Sequence, residues 1–294
     1  MPGGNIRDLR RRVKSVSNIQ QITRAMKFVS AARLRKAQER MFAARPYATR
    51  MMAVLNSMAT RVDPETHPLL KERKIEKTML LVFTADKGLC GGFNSNLIKS
   101  AVQFINDEEL GDALSLTLVG KKGAEWFRKR PWPIKHQYLN VMSRVDFARA
   151  REIAETVTKY YVEGEVDAVY LLYNQFKSVI AQTITLEPLL PVQKLDTDNA
   201  DETMLDYIYE QPAEKIFDHL LPKHIETQIF RAMLESEASE QGSRMTAMDA
   251  ATNNAEEMIE SITLHVNRVR QASITTELIE IVSGANALQE SRSE

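Results

Sequence analysis

The chain has 294 residues, 44% of them hydrophobic, which allows one large or two ordinary packed domains. Lys plus Arg and Asp plus Glu stand at 39 each, so the net charge is zero, and a single cysteine, Cys90, excludes an internal disulfide framework. No apolar run approaches the roughly 20 residues that span a bilayer, and the N-terminus lacks the apolar stretch of a secretory signal.

The zero net charge hides an asymmetry. Residues 1–50 carry thirteen basic groups against Asp8 and Glu39, whereas the last forty residues carry seven Glu against Arg268, Arg270 and Arg292. A basic first segment suits an acidic partner, nucleic acid or an anionic surface, or is simply a solvated helix face. Glycine is absent between Gly4 and Gly88, and proline after Pro222, so both ends read as long helices.

In the first helix, Leu34, Ala37, Met41, Ala44, Ala48, Met51, Leu55 and Met58 alternate by three and four. Ile6, Leu9, Val13 and Val16 do the same, as do Ile19, Ile22, Met26 and Val29. Joining these runs into one seam requires a local phase adjustment. Pro46 is expected to kink this helix or end a segment of it.

The middle of the chain changes period. Thr78–Thr84, Leu114–Val119 and Ala168–Tyr173 read as strands, with helices near Asn96–Asn106, Lys121–Lys129 and Asp146–Glu163. That order predicts a partly parallel sheet with covering helices. Residues 178–191 and Met204–Tyr209 are candidates for an added antiparallel hairpin. The final segment gives a cleaner seam: Met245, Met248, Thr252, Ala255, Ile259, Ile262, Val266 and Val269. Each terminal helix needs cover for one stripe; self-association in trans is the alternative, but a middle domain that returns the chain to its start favours pairing within the chain. The expected fold class is therefore α/β: an antiparallel two-helix coiled coil with an inserted Rossmann-like domain. Its expected parts are shaft helices at 1–60 and 212–294 and an α/β foot at 61–211.

Motifs for chemistry are sparse. Asp86-Lys87-Gly88-Leu89-Cys90-Gly91-Gly92-Phe93-Asn94 follows the first strand, where a Gly-rich turn can cradle phosphate. It lacks both the Gly-Lys-Ser/Thr ending of a nucleotide P-loop and the GxGxxG spacing, so a tight turn is the expected structure. His219 and His224 are five apart and point to different helix faces, which makes no metal pair. Cys90 has no base supplied by the sequence. Aromatic residues are few on the basic helix, which argues against single-stranded nucleic acid. No catalytic, cofactor or metal residue is expected. The alternatives are a nucleotide-binding enzyme resting on the Asp86–Asn94 turn and a basic coiled coil that binds nucleic acid.

Three segments together are specific: Ile19–Arg35 (IQQITRAMKFVSAARLR), the turn DKGLCGGFN, and Arg270–Ala285 with QASITTELIEIVSGA after its arginine. With Ala247–Asn253 (AMDAATN), they make the chain resemble the gamma subunit of the rotary F-type ATP synthase, in family order and over essentially the whole length. The resemblance implies a non-catalytic central shaft inside a head of alternating alpha and beta subunits. It implies a foot that meets the epsilon subunit and the c ring, with the complex, not this chain, as the enzyme. It also implies coupling of ion flow to ATP synthesis or hydrolysis, regulation of that ATPase activity and ion flow, and no nucleic-acid partner. The implied location is the cytoplasmic face of the bacterial inner membrane, peripheral, touching the membrane only through partners. Arg24, Met26, Lys27, Arg33 and Arg35 are the candidate head contacts on the first helix. Arg270, Gln271 and Thr275 match the family's polar contact segment, and Leu278, Ile281 and Val282 its apolar tip. The tail after Gly284 is expected to be disordered or outside the sleeve.

Overall fold

A computed structural model describes residues 6–59, 67–71, 73–108, 113–192 and 213–290. Five helices and five strands follow in the order α1 (Ile6–Ala59), β1 (Thr78–Phe83), α2 (Phe93–Asp107), β2 (Leu114–Val119), α3 (Lys121–Phe127), β3 (Ile134–Tyr138), α4 (Phe147–Val162), β4 (Ala168–Phe176), β5 (Gln182–Leu190) and α5 (Ala213–Glu290). The described residues form two compact units: Val29–Thr246, and the stretch up to Phe28 together with the stretch from Ala247 onward.

In the larger unit the strands form one sheet, ordered β3-β2-β1-β4-β5. β3, β2, β1 and β4 run parallel to one another, and β5 pairs antiparallel to β4. β1 and β2 are buried at every position because helices cover both faces, which is why they read as unbroken apolar runs. Leu80 and Val82 point to a core shared with Leu97, Ala101 and Phe127 of α2 and α3. Met79, Leu81 and Phe83 point the other way, to a core built with α4, α1 and α5. Period-two alternation along β1 thus joins two helix layers through one sheet.

The expected helices near Asn96, Lys121 and Asp146 appear as α2, α3 and α4. Asp146 caps α4, its side chain accepting from the Ala148 amide. The 178–191 segment supplies β5, and Met204–Tyr209 lies outside the described residues. The sequence reading passed over β3: Ile134-Lys135-His136-Gln137-Tyr138 is a mostly exposed edge strand without an apolar pattern.

The terminal helices pack antiparallel. In the smaller unit Thr252 donates to Thr23 at 2.9 Å and Lys27 meets Asp249 at 2.5 Å. In the larger one Arg40 pairs with Glu237 at 3.2 Å, and Thr227 lies 3.9 Å from the Met51 sulfur. On α5 the expected seam holds: Met248 and Ala255 are buried, and Thr252, Ile259, Ile262, Val266 and Val269 are half-buried.

On α1 the expected seam needs correction. Ile19, Ile22 and Val29 are exposed, at 51%, 59% and 53%. In the smaller unit Leu9, Val13, Val16, Gln20, Thr23 and Lys27 are covered at alternating four-three spacing, flanked by half-buried Ser17 and Met26; in the larger, Ser30, Leu34, Ala37 and Met41 are covered at the same spacing, flanked by Ala31, Gln38 and Arg40. Neither run needs a phase adjustment. The sequence reading followed the apolar residues, whereas the middle of the seam is polar: Thr23 and Lys27 bond to Thr252 and Asp249. Nor does Pro46 end the helix, since α1 continues through it to Ala59. Met58 falls among side chains outside the described set. α5 likewise runs through Gly284 to Glu290, so as far as that residue the tail is helical and the disordered alternative for it does not hold.

Candidate functional site: a strand-end crevice filled by α5, and the exposed helix faces

In sheets of this order, ligands bind beyond the carboxyl ends of the strands, where the order reverses. Here that place lies between β1 and β4. In the loop after β1, the Asp86 carboxylate accepts from the Lys121, Asn140 and Ser143 amides at 3.1, 2.9 and 3.0 Å. The Lys121 amide opens α3, so the donor that could face a phosphate is taken by the chain's own carboxylate. Asn94 closes the loop from the other side: its Oδ1 accepts from the Ala85 amide at 2.9 Å. Leu89 and Gly91 take positive φ, 62° and 56°, as a tight turn requires. Cys90 is buried within the turn; burial pushes its thiol pKa up, which makes the thiolate nucleophile scarce.

The crevice itself is filled by α5. Ser239 donates to the Asn174 carbonyl of β4 at 3.0 Å. At Gly242 the helix packs on the turn after β4, where a Cβ would make an ordinary van der Waals contact with the Val179 carbonyl at 3.4 Å. Arg244 reaches under the loop after β1 and donates to the Gly88 carbonyl at 3.2 Å. Its other end pairs with Glu240 at 2.6 Å, and both side chains are under a tenth exposed. Burial pushes the Glu240 carboxyl up, opposed by the adjacent Arg244 guanidinium. Around the helix, Arg231 pairs with Glu187 of β5, which also accepts from the Tyr173 hydroxyl at 3.0 Å. His224 is buried as a neutral base: desolvation, helped by Arg231, lowers its pKa to about 4. Sequence reasoning missed this set, since its partners lie tens of residues apart and only the crowding of Glu, Ser, Gln and Arg within 235–244 hints at it.

Most of the expected contact residues lie on exposed helix faces. Arg24 is exposed, Met26 and Lys27 are half-buried at the seam, and Arg33 and Arg35 are exposed, with Arg35 bonded to Glu39 at 3.2 Å. Lys27 is occupied by Asp249, which a partner would have to displace. Arg270, Gln271, Thr275, Leu278, Ile281 and Val282 are all exposed, as is every position from 270 to 285. The structure thus groups the first-helix residues on α1 and the others along the uncovered end of α5. Apolar neighbours that the sequence reading did not select are exposed too: Phe28 at 63%, Ile274 at 50% and Ile279 at 61%. Among the described residues no cluster of His, Cys, Asp or Glu could hold a metal, and no helix is long and apolar enough to cross a membrane.

Comparison with known proteins gives consistent results. The family model described as ATP synthase matches residues 5–288. An ATP synthase gamma chain of Geobacter metallireducens is 49% identical, over 97% of this chain and 99% of the relative. One from Chloroherpeton thalassium is 43% identical over the same shares. Among solved structures, the Tetrahymena thermophila mitochondrial ATP synthase central stalk and c ring has a similar chain: TM-score 0.62, 29% identity, covering 78% of this chain and 99% of that one. A chain of the Euglena gracilis mitochondrial enzyme shares the fold, with TM-score 0.69 at 20% identity, over 98% and 96%. Near-complete coverage at these identities, on a paired-helix and sheet architecture, makes this chain a member of the ATP synthase gamma chain family.

Proposed function

We propose that this chain is the central rotor shaft of an F-type ATP synthase, itself non-catalytic. Ion flow through the membrane sector turns it, and its asymmetric helices turn inside a head of alternating alpha and beta subunits. The head then synthesises ATP, or in reverse hydrolyses it to pump ions. The observation that carries this reading is the end of α5. From Arg270 to Ala285 the helix is exposed on every side, yet it bears Ile274, Leu278, Ile279, Ile281 and Val282. A bare helix with that apolar load needs a sleeve. Arg270, Gln271 and Thr275 would meet the head as polar contacts below the apolar tip, and Leu278, Ile281 and Val282 would sit inside it.

On α1, Arg24, Arg33 and Arg35 would face acidic segments of the beta subunits, with Met26 and Lys27 at the edge of that surface. The sheet domain would be the foot, meeting the epsilon subunit and the c ring; the solved relatives include one described as a central stalk with its c ring. Placement at the cytoplasmic face of the inner membrane, through partners alone, follows from that assembly. The switch-point crevice favours a shaft over a nucleotide enzyme, since α5 and Asp86 fill the volume and the donors a nucleotide would use. The test is copurification of a tagged chain at native levels. Alpha, beta, epsilon and c subunits should come with it in fixed ratio; recovery of the tagged chain free of all four would refute the proposal.

A further inference from the structure

We infer that the stretch of α5 from Arg231 to Arg244 is a torsional key, locked into the sheet domain by polar ties on several sides of the helix. The inference rests on the rotor reading above and concerns how the foot grips its shaft. Four side chains of this stretch bond outward to four different elements. Arg231 holds Glu187 on β5. Ser239 holds the Asn174 carbonyl on β4. Arg244 holds the Gly88 carbonyl in the loop after β1. Glu237 holds Arg40 on α1, and Arg40 in turn donates to the Val145 carbonyl ahead of α4. At about 100° per residue, these four leave the helix at about 0°, 80°, 220° and 240° around its axis, so no arc wider than about 140° is without a tie.

The chemistry of these ties is unexpected for a helix chosen for stability alone. Ser239 and Arg244 are under a tenth exposed, as is Glu240, which pairs with Arg244 along the helix; Glu237 and Arg231 are partly exposed, their side chains at 15% and 31%. Buried ion pairs are commonly no more stabilising than apolar residues of the same volume. What they add is direction. An apolar contact survives a small slide or roll of one surface over another, whereas a hydrogen bond weakens steeply once its angle is lost. A greased helix in an apolar socket could roll about its own axis under load. One tied at four azimuths transmits a twist to the sheet as a rigid piece. The same crevice that holds a ligand in other folds of this order therefore serves as the keyway for the chain's own helix.

The test replaces direction while keeping volume: Arg231→Met with Glu187→Leu, Arg40→Met with Glu237→Leu, Arg244→Met with Glu240→Leu, and Ser239→Ala. Each set is built into the assembled enzyme, with the head fixed to a surface and a bead on the foot. Wild type is first driven with ATP. A bead that never rotates would indict the rotor reading and not the key. The head is then stalled with a non-hydrolysable ATP analogue, and the bead's angular variance is recorded. The key predicts at least a twofold rise in variance for the combined variant, with the subunit melting temperature held or raised. Arg40→Lys in an otherwise wild-type chain keeps a charged donor toward both Glu237 and the Val145 carbonyl and should keep the variance near wild type. Should the combined chain fail to assemble, the single-pair sets read the same quantity. Unchanged variance in every set that assembles, or a fall in melting temperature with unchanged variance, overturns the proposal.

Discussion

Replacing Ile19 and Ile22 together by Ser separates the seam from the outward face of α1. Both residues are more than half exposed, at 51% and 59%, so each contributes less than half of its possible burial within the subunit. Full burial of an Ile is worth about 1.5–3 kcal/mol, which leaves about 1 kcal/mol lost per residue, or about 2 kcal/mol for the pair. For a chain of this size that lowers the melting temperature by about 4–8 °C. The exposed halves are what a surrounding head would cover. Losing them there costs about 2–3 kcal/mol together, a roughly 30- to 150-fold weaker association. The assay is a pair of measurements: thermal unfolding of the isolated subunit, and titration of the variant against the alpha–beta head. A fall in melting temperature beyond about 15 °C, with head affinity unchanged in the chains that fold, would mean that Ile19 and Ile22 are seam residues. The polar course of the seam through Gln20, Thr23, Lys27 and Ser30 would then be wrong.

Other perturbations give independent checks. Gly120→Ala would place a Cβ 1.9 Å from the Thr84 carbonyl oxygen at a φ of +98°, so a loss of about 3 kcal/mol or more is expected in denaturant melts. Gly164→Ala, at φ +74° but in open space, should cost only about 1 kcal/mol. His224 is held neutral with its pKa lowered from 6.5 to about 4. The unfolded chain binds that proton first, so the contribution of His224 is present above pH 6.5 and is lost as pH falls toward 4. His224→Leu should therefore flatten the acid limb of the stability curve by roughly 3 kcal/mol between those pH values, read as the difference from wild type. Arg270→Ala with Gln271→Ala should reduce ATP synthesis in the assembled enzyme and leave the subunit melting temperature nearly unchanged, because both side chains are exposed. Removing residues 285–294 should leave ATP-driven ion pumping largely intact, whereas a chain ending before Arg270 should lose it.

How much of this was legible in the sequence depended on where the apolar residues went. Strands β1, β2 and β4 were readable because burial on both faces selects unbroken Leu, Val and aromatic runs. The α5 seam from Met248 to Val269 was readable because its covered positions are mostly apolar. The facing part of α1 misled for the opposite reason. Its covered positions bond across to Thr252 and Asp249, and its apolar residues face out, which reverses the usual rule that apolar side chains mark the packed side. β3 lacked a signal, since an edge strand with polar faces has no periodic need for apolar residues. The strand-end crevice was beyond sequence reading altogether. Its ties join Arg244 to a loop more than 150 positions earlier, and Ser239 and Arg231 to strands that only the sheet order brings beside them.

The central claim is that this chain turns as a rotor. Cys90 is buried with its thiol pKa raised, so a cysteine introduced at exposed Asn106 on α2 is the accessible attachment point for a bead. With the head fixed to a surface, added ATP should drive the bead through many turns in one direction, and the motion should cease when ATP is withdrawn. ATP hydrolysis at the full rate beneath a bead that stays fixed, in a complex that retains the chain, would contradict the account.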